Sequence, residues 1–130
     1  MHIPPGFTQL FPYIFAEDAK AYLAFLADGL GGEITSAYEA PPGILANAHV
    51  RFGDTTLMVS EATEANPQTR GTYYLYVEDA DAAMACGIAA GGVEIGKVCD
   101  QAYGDRQGGL RDPWSNIWWL SQRLAAGGYG

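Results

Sequence analysis

The feature that most constrains the fold of this chain is an internal repeat with a period of about 61 residues. The segment 15–19, which reads FAEDA, aligns with the segment 76–80, which reads YVEDA. In each half an apolar helical pattern follows the acidic pair and ends at a Gly-Gly pair, at 31–32 and at 91–92. Because a fixed period marks a repeated supersecondary unit, we expect two copies of one small module.

Each copy shows the pattern of one strand, one helix and three further strands. In the first half the alternation of side chains predicts strands over residues 10–16, 33–38, 46–52 and 55–60, and a helix that begins at 17–18 and ends at Gly29. In the second half it predicts strands over 72–77, 93–98, 108–111 and 116–122, and a helix from 78 to about 90. The apolar helix positions expected in the core are Ala21, Tyr22, Phe25, Leu26, Ala83, Met84, Cys86 and Ile88.

Length and charge limit the class of protein. A chain of 130 residues with 48% apolar side chains fits a single domain, with modules at about 8–61 and 71–123 and a polar linker at about 62–70. The stretch 1–6 has neither a basic nor a long apolar run, which predicts a cytoplasmic protein with two free thiols, and no apolar run suggests a membrane partner. The net charge of −8 disfavours a nucleic-acid partner, and two explanations of it stay open: it serves solubility, or it favours a cationic small molecule.

The segment 103–114, which reads YGDRQGGLRDPW, carries the most specific motif of the chain. With YVEDADA at 76–82, AAG at 89–91 and RFGD at 51–54, it resembles the PhnB-like branch of the glyoxalase/bleomycin-resistance (vicinal oxygen chelate) family over about residues 10–123. The resemblance implies an α+β fold in which two βαβββ modules form a curved mixed sheet around a cleft. It also implies a homodimer.

Family members that use a metal hold it with strand residues of both modules. The resemblance carries these ligand positions to Phe11, His49, Thr72 and Trp119. Phenylalanine and tryptophan have no donor to offer, and a neutral threonine hydroxyl is a poor ligand on its own. We therefore expect neither a metal nor another cofactor.

Strand alternation then identifies the residues expected to line the cleft, because successive side chains point to opposite faces of a sheet. One face is aromatic and polar, and the other is mostly aliphatic. The candidate ligand-binding residues are Phe11, Tyr13, Phe15, Asn47, His49, Arg51, Tyr74, Tyr76, Tyr103, Trp114 and Trp119. Two alternatives stay open: the tyrosines can lie in a closed core, and the loop 103–106 can brace the strands rather than contact a ligand.

Three functions are compatible with this pattern. The first is a metal-independent binding protein that sequesters an aromatic, cationic antibiotic or metabolite in the cleft, as in drug resistance. The second is a lyase or isomerase of a small oxygenated metabolite, with His49 as the acid–base residue and Arg51 or a tyrosine stabilising negative charge. The third is a metal enzyme whose ligands lie one or two residues from the positions above. The missing donors favour a binding protein over an enzyme.

Overall fold

The computed structural model describes residues 2–130, so Met1, the first residue of the stretch 1–6 considered above, lies outside the described residues. The chain divides between Thr69 and Arg70, within the segment 62–70, into two compact units that each hold one copy of the repeat. Module 1 contains β1 (Tyr13–Ala16), α1 (Ala19–Asp28), β2 (Glu33–Glu39), β3 (Leu45–Phe52) and β4 (Thr55–Glu61). Module 2 contains β5 (Thr72–Tyr76), α2 (Ala80–Ala89), β6 (Val93–Asp100), β7 (Asp105–Arg111) and β8 (Ile117–Arg123).

Each module forms its own four-stranded mixed sheet with the same connectivity. The strand order is β1-β4-β3-β2 in module 1 and β5-β8-β7-β6 in module 2. In each sheet the first strand runs parallel to the last strand, and the other neighbours are antiparallel. The predicted α+β class and the two βαβββ runs are therefore confirmed. No helix within residues 2–130 has the length and apolarity needed to cross a membrane.

The core of each module lies between its helix and one face of its sheet. The predicted aliphatic face is buried, as shown by Ile14, Val50, Trp118 and Leu120. Helix α1 covers its sheet with Tyr22, Leu23, Phe25 and Leu26, whereas Ala21 is exposed, so its assignment to the core was wrong. Cys86 and Ile88 are also exposed, so their assignment to the core was wrong as well, because the side of α2 that packs inward carries Ala80, Met84 and Gly87 instead.

The last strand of each module caps the helix of that same module. Asp18 has φ 54° and its side chain makes no capping hydrogen bond. Instead, the carboxylate of Glu61 in β4 accepts hydrogen bonds from the backbone N–H groups of Asp18 and Ala19 at 3.0 and 2.9 Å. In module 2 the side chain of Gln122 in β8 accepts from the N–H of Ala80 at 3.0 Å. These contacts supply partners for N–H groups that a helix start leaves without one.

Two strand starts differ from the prediction by three residues, and every other strand boundary differs by at most two. Strand β1 starts at Tyr13 rather than at residue 10, because Pro12 has no N–H to donate, although its carbonyl still accepts from Met58 at 3.1 Å. Strand β7 starts at Asp105 rather than at residue 108. Within the segment 103–106, only residues 103 and 104 therefore form a loop, since Asp105 and Arg106 belong to β7.

Gly109 in β7 allows the indole of Trp119 to lie directly on the backbone of the neighbouring strand. A Cβ at this position would lie 2.5 Å from Trp119 Cζ3 and 3.0 Å from Ile95 Cγ1. We expect Gly109→Ala to lower the free energy of unfolding by about 1–3 kcal/mol, because a rigid ring must move to make room. Urea unfolding measures this change. Gly128→Ala is the control, since nothing lies within 4 Å of its added Cβ, and an equal loss in both variants would contradict the steric explanation.

Candidate functional site

Module 2 has an open pocket whose walls are four tyrosine side chains, which we call the tyrosine pocket. Its lining residues are Tyr74, Tyr76, Tyr103 and Tyr129, and its volume is about 490 Å³. Strand β5 contributes two of them, the turn before β7 contributes one, and the segment 124–130 after β8 contributes the fourth. Each of these side chains is between 46% and 55% exposed, so their rings are available to a ligand.

A buried carboxylate, that of Asp105, is hydrogen bonded to two of these tyrosines. Asp105 is fully buried, and its Oδ2 atom accepts hydrogen bonds from the hydroxyls of Tyr74, Tyr129 and Ser121 at 2.5, 2.7 and 3.0 Å. Its Oδ1 atom accepts from the guanidinium of Arg123 at 2.9 Å. We call these five residues the Asp105 cluster. A buried charge needs such partners to be stable, and four donors supply them here.

Arg123 links this carboxylate to the segment 124–130. Its guanidinium donates to the carbonyl of Tyr103 at 2.7 Å and to the carbonyls of Gly127 and Gly128 at 3.2 and 3.0 Å. The same group lies 4.2 Å from the ring centroid of Tyr129, which is a cation–π contact. Arg123 therefore neutralises Asp105 and also holds Tyr129 in the pocket.

Additional hydrogen bonds fix the orientation of the pocket walls. The Tyr103 hydroxyl donates to Gln107 Oε1 at 2.6 Å, and the amide nitrogen of Gln107 donates to Ser121 Oγ at 3.4 Å. The hydroxyls of Tyr76 and Tyr129 are also hydrogen bonded to each other. The tyrosines therefore form a pre-organised wall rather than a set of independent side chains.

The same contacts set the ionisation states in the pocket. Burial acts to raise the pKa of the Asp105 carboxyl, but its four hydrogen-bond donors outweigh burial and hold that pKa well below its ordinary value. The pKa of Tyr129 is raised, first by its hydrogen bond with Tyr76 and then by burial and by Asp105. Burial and the bond to Asp105 raise the pKa of Tyr74. Near neutral pH the cluster therefore holds a carboxylate surrounded by protonated phenols.

Module 1 has an apolar side chain where module 2 has the buried carboxylate. Asn47 donates to Ser60 Oγ at 3.3 Å, as Gln107 does to Ser121, so the two pairs are equivalent in the repeat. Two residues before these amides stand Leu45 in β3 and Asp105 in β7, and both are buried. The repeat has therefore diverged at this position, and the polar cluster belongs to module 2.

The structure brings only some of the predicted site residues together. In module 2, Tyr74, Tyr76 and Tyr103 share the tyrosine pocket. In module 1, Tyr13 stacks on Phe15 with ring centroids 4.6 Å apart, and its hydroxyl bonds Ser60 at 2.9 Å. The half-exposure of Tyr13, Tyr74 and Tyr76 contradicts the closed-core alternative.

Other predicted residues have different surroundings. Trp119 packs over Gly109 on β7, and the backbone N–H of Trp114 donates to Asp112 in the turn between β7 and β8. Arg51 pairs with Glu33 at 2.6 Å across the neighbouring strands. Phe11 precedes β1 and packs on Phe7, with ring centroids 5.0 Å apart.

His49 lies in β3 and contacts an apolar ring. The imidazole meets the ring of Phe7 edge to face at 5.1 Å. Within residues 2–130 this imidazole makes no ion pair or hydrogen bond with a carboxylate, whereas a catalytic histidine is usually oriented by a hydrogen-bond partner. Arg51, the residue proposed to assist it, is already paired with Glu33.

The residues at the family's metal positions do not fit a divalent ion. The register pairs Tyr13 with Met58 and Tyr74 with Trp119, so the equivalent of Trp119 in module 1 is Met58 and not His49. A thioether and an indole are both unsuitable for a hard divalent ion. Within residues 2–130 no three His, Cys, Asp or Glu side chains cluster closely enough to hold a metal.

Sequence reasoning missed Asp105, Arg123 and Tyr129 as site residues. Alternation in β8 places Ser121 on the same face as Trp119, and one further step along the strand would have found Arg123. Asp105 was assigned to the loop 103–106, whereas it begins β7. Its neighbour Arg106 bonds Asp81 and Asp100 on the other face of β7. Tyr129 lies in no strand or helix, and no periodic pattern points to it.

Comparisons with known proteins show which sequences and which folds this chain resembles. No protein-family model matches the chain. The uncharacterized protein Mb0911c of Mycobacterium bovis is 27% identical over 124 residues, which span 87% of this chain and 82% of that protein. The uncharacterized protein Rv0887c of Mycobacterium tuberculosis is also 27% identical over 124 residues, spanning 73% of its length.

Solved structures resemble both modules. TioX from Micromonospora sp. ML1 has a TM-score of 0.75 and 20% identity, covering 90% of this chain and 99% of TioX. A glyoxalase/bleomycin resistance protein/dioxygenase family enzyme from Burkholderia phytofirmans PsJN has a TM-score of 0.67 and 18% identity, covering 88% of this chain and 97% of that enzyme. The chain therefore has the vicinal oxygen chelate fold, which it shares with structures of the glyoxalase/bleomycin resistance/dioxygenase family.

Proposed function

We propose that this protein binds a small aromatic molecule in the tyrosine pocket of module 2 and sequesters it without a metal. The observation that carries the proposal is the open volume of about 490 Å³ between four half-exposed tyrosines, two of which donate to a buried carboxylate. This volume lies within the usual range for small-molecule sites, about 300–1,000 Å³. Apolar rings with a few converging polar groups are also the usual lining of such sites.

The ring geometry supports an aromatic ligand. Tyr74 and Tyr76 meet edge to face with centroids 5.3 Å apart, and Tyr103 and Tyr129 do so at 6.3 Å. Aromatic pairs prefer edge-to-face or offset arrangements, so a flat ring inserted between these walls gains contacts of the same kind. Such contacts add about 0.5–1.5 kcal/mol per ring pair beyond the burial of area.

The charges support binding rather than proton transfer. Asp105 already accepts from four donors, and the phenols of Tyr74 and Tyr129 hold their protons well above neutral pH. A general acid or base needs a pKa near the working pH. The net charge of −8 favours cationic over anionic rings, which suits the capture of an aromatic antibiotic or metabolite.

The proposal also includes the family branch, the location, the assembly and the partners that the sequence predicts. We place the chain in the PhnB-like branch on the strength of the segment 103–114, and we propose a cytoplasmic homodimer with no nucleic-acid or membrane partner. A structural neighbour from Burkholderia phytofirmans carries "bleomycin resistance" in its name, which is consistent with drug resistance as the role of the pocket.

Titration with a panel of planar aromatic compounds, followed by intrinsic tryptophan fluorescence, tests the proposal. We expect at least one compound to bind saturably, and Tyr76→Ala to weaken that binding about tenfold or more, because a wall of the pocket is lost. Ile88→Ala is the matched control, since this side chain is exposed on α2, behind the opposite face of the sheet. If no compound binds, or if both variants weaken binding equally, the proposed function is wrong.

A further inference from the structure

The phenol of Tyr129, one wall of the tyrosine pocket, makes contacts that a ligand could make in its place. Its hydroxyl donates to Asp105 Oδ2 at 2.7 Å, and its ring lies 4.2 Å from the Arg123 guanidinium. The pocket therefore already displays one chemical group that it accepts, which is an aryl ring with a hydroxyl donor aimed at the carboxylate.

The other donors to Asp105 cannot leave as easily. Tyr74 lies in β5, and Ser121 and Arg123 lie in β8, where the ladder of backbone hydrogen bonds fixes them. Tyr129 belongs to the segment 124–130, which has no helix or strand and is exposed along its whole length. Of the four donors, Tyr129 is thus the one that can be exchanged without opening a sheet.

The local sequence lowers the free-energy cost of releasing Tyr129 from Asp105. Gly127 and Gly128 precede Tyr129, and Gly127 has φ +82°, a conformation that favours glycine. Glycine has the largest backbone freedom to recover when a segment is released. The segment is held near the pocket by Arg123 contacts to two carbonyls, so Tyr129 competes with any ligand at a high local concentration.

We propose that the pocket selects phenolic ligands, whose hydroxyl displaces that of Tyr129 from Asp105. This inference rests on the proposed function, because it assumes an aromatic ligand in the tyrosine pocket, and it adds the functional group that is recognised. The hydroxyl is specified because an ionised carboxylate accepts hydrogen bonds and donates none. An aryl ether of the same shape would leave Asp105 with one donor fewer, which is costly for a buried charge.

The competition reduces affinity in a measurable way. When the binding-competent state is only a fraction of the population, the apparent Kd is the intrinsic Kd divided by that fraction. Removal of the Tyr129 side chain makes the whole population competent. We therefore expect tighter binding of phenols after this change. The same factor applies to any ligand that displaces Tyr129, so selection for the hydroxyl is measured by the affinity of a phenol relative to that of a matched ether.

The experiment uses full-length protein and two matched probes, 4-methylphenol and 4-methylanisole, titrated into the wild type, Tyr129→Ala and Tyr129→Phe by calorimetry. We expect 4-methylphenol to bind Tyr129→Ala about tenfold or more tightly than it binds the wild type, and about tenfold or more tightly than 4-methylanisole binds Tyr129→Ala. For 4-methylphenol, the affinity of Tyr129→Phe should lie between those of the wild type and Tyr129→Ala, since this variant keeps the ring but loses the bond to Asp105. Equal affinities of the two probes for Tyr129→Ala, or no gain for the phenol on removal of Tyr129, would overturn phenol selection.

A second measurement does not depend on a variant. In wild-type protein with ¹³C-labelled tyrosine rings, the Tyr129 signal, assigned by its absence in Tyr129→Phe, should move to the position of free tyrosine as 4-methylphenol is added. A bound probe with an unmoved Tyr129 signal would rule out displacement. If the aromatic panel binds the wild type but phenols show no preference, only this inference fails. If no aromatic compound binds any variant, the proposed function fails as well.

Discussion

Replacement of Asp112 by alanine should lower the free energy of unfolding by about 3–5 kcal/mol. This buried carboxylate organises the turn between β7 and β8: Oδ1 accepts from the N–H groups of Trp114 and Asn116, both at 2.9 Å, and Oδ2 accepts from Trp118 Nε1 at 3.0 Å. Alanine would remove this acceptor from all three donors, two of which are buried, and each such loss costs about 1–3 kcal/mol. Urea unfolding, followed by tryptophan fluorescence, measures the loss.

Two comparisons separate this explanation from a general effect of charge. Asp100→Ala removes an exposed partner of Arg106 and should cost about 1 kcal/mol or less, as exposed ion pairs usually do. Trp118→Phe removes the indole donor, so the cost of Asp112→Ala should be smaller in that background. A cost of Asp112→Ala no larger than that of Asp100→Ala would show that the turn does not depend on these bonds.

The second large effect concerns Asp105 and depends on pH. The pKa of this carboxyl is lower in the folded state than in the unfolded state, where it is about 3.9. Its stabilising contribution is therefore complete above about pH 5 and is lost as the pH falls through about 4 towards the folded pKa. Stability of the wild type should exceed that of Asp105→Asn by a constant amount between pH 5 and 7, and the difference should shrink below about pH 4.

Urea unfolding of both proteins at closely spaced pH values measures this difference directly. Between about pH 2 and 4, the change of this stability difference with pH should correspond to about one additional proton taken up when the wild type unfolds. Tyr129→Phe keeps the carboxylate but removes one of its donors, so it should show a smaller change with the same sign. A difference between wild type and Asp105→Asn that stays constant down to pH 2 would mean that Asp105 is not held as a carboxylate by its partners.

The sequence was most informative where local pattern and repeat agreed. The acidic pairs and the Gly-Gly pairs located both helices, and alternation identified the buried face that contains Ile14, Val50 and Leu120. Errors arose where a single residue overrode the pattern, as at Pro12, or where the helix face was read from apolar character alone, as at Cys86. Alanine and cysteine are small enough to be tolerated on either face of a helix, so their positions say little about burial.

The candidate site was predicted in part. Tyr74 and Tyr76 followed from alternation in β5, and Tyr103 followed from the motif that contains it. The buried carboxylate was missed because Asp105 was assigned to a loop, so its place opposite Arg123 in the pairing of β7 with β8 was not considered. Tyr129 depends on the path of an irregular segment, which no residue periodicity encodes.

The capping of each helix by the last strand of its own module affects how that module unfolds locally. In module 2, release of β8 withdraws Gln122 from the start of α2 and also breaks the parallel pairing with β5. The earliest and latest elements of the module are therefore joined in one cooperative unit. In native-state hydrogen exchange, the amides of β5, β8 and the first turn of α2 should open together, whereas those of β6, which pairs only with β7, should exchange through smaller openings.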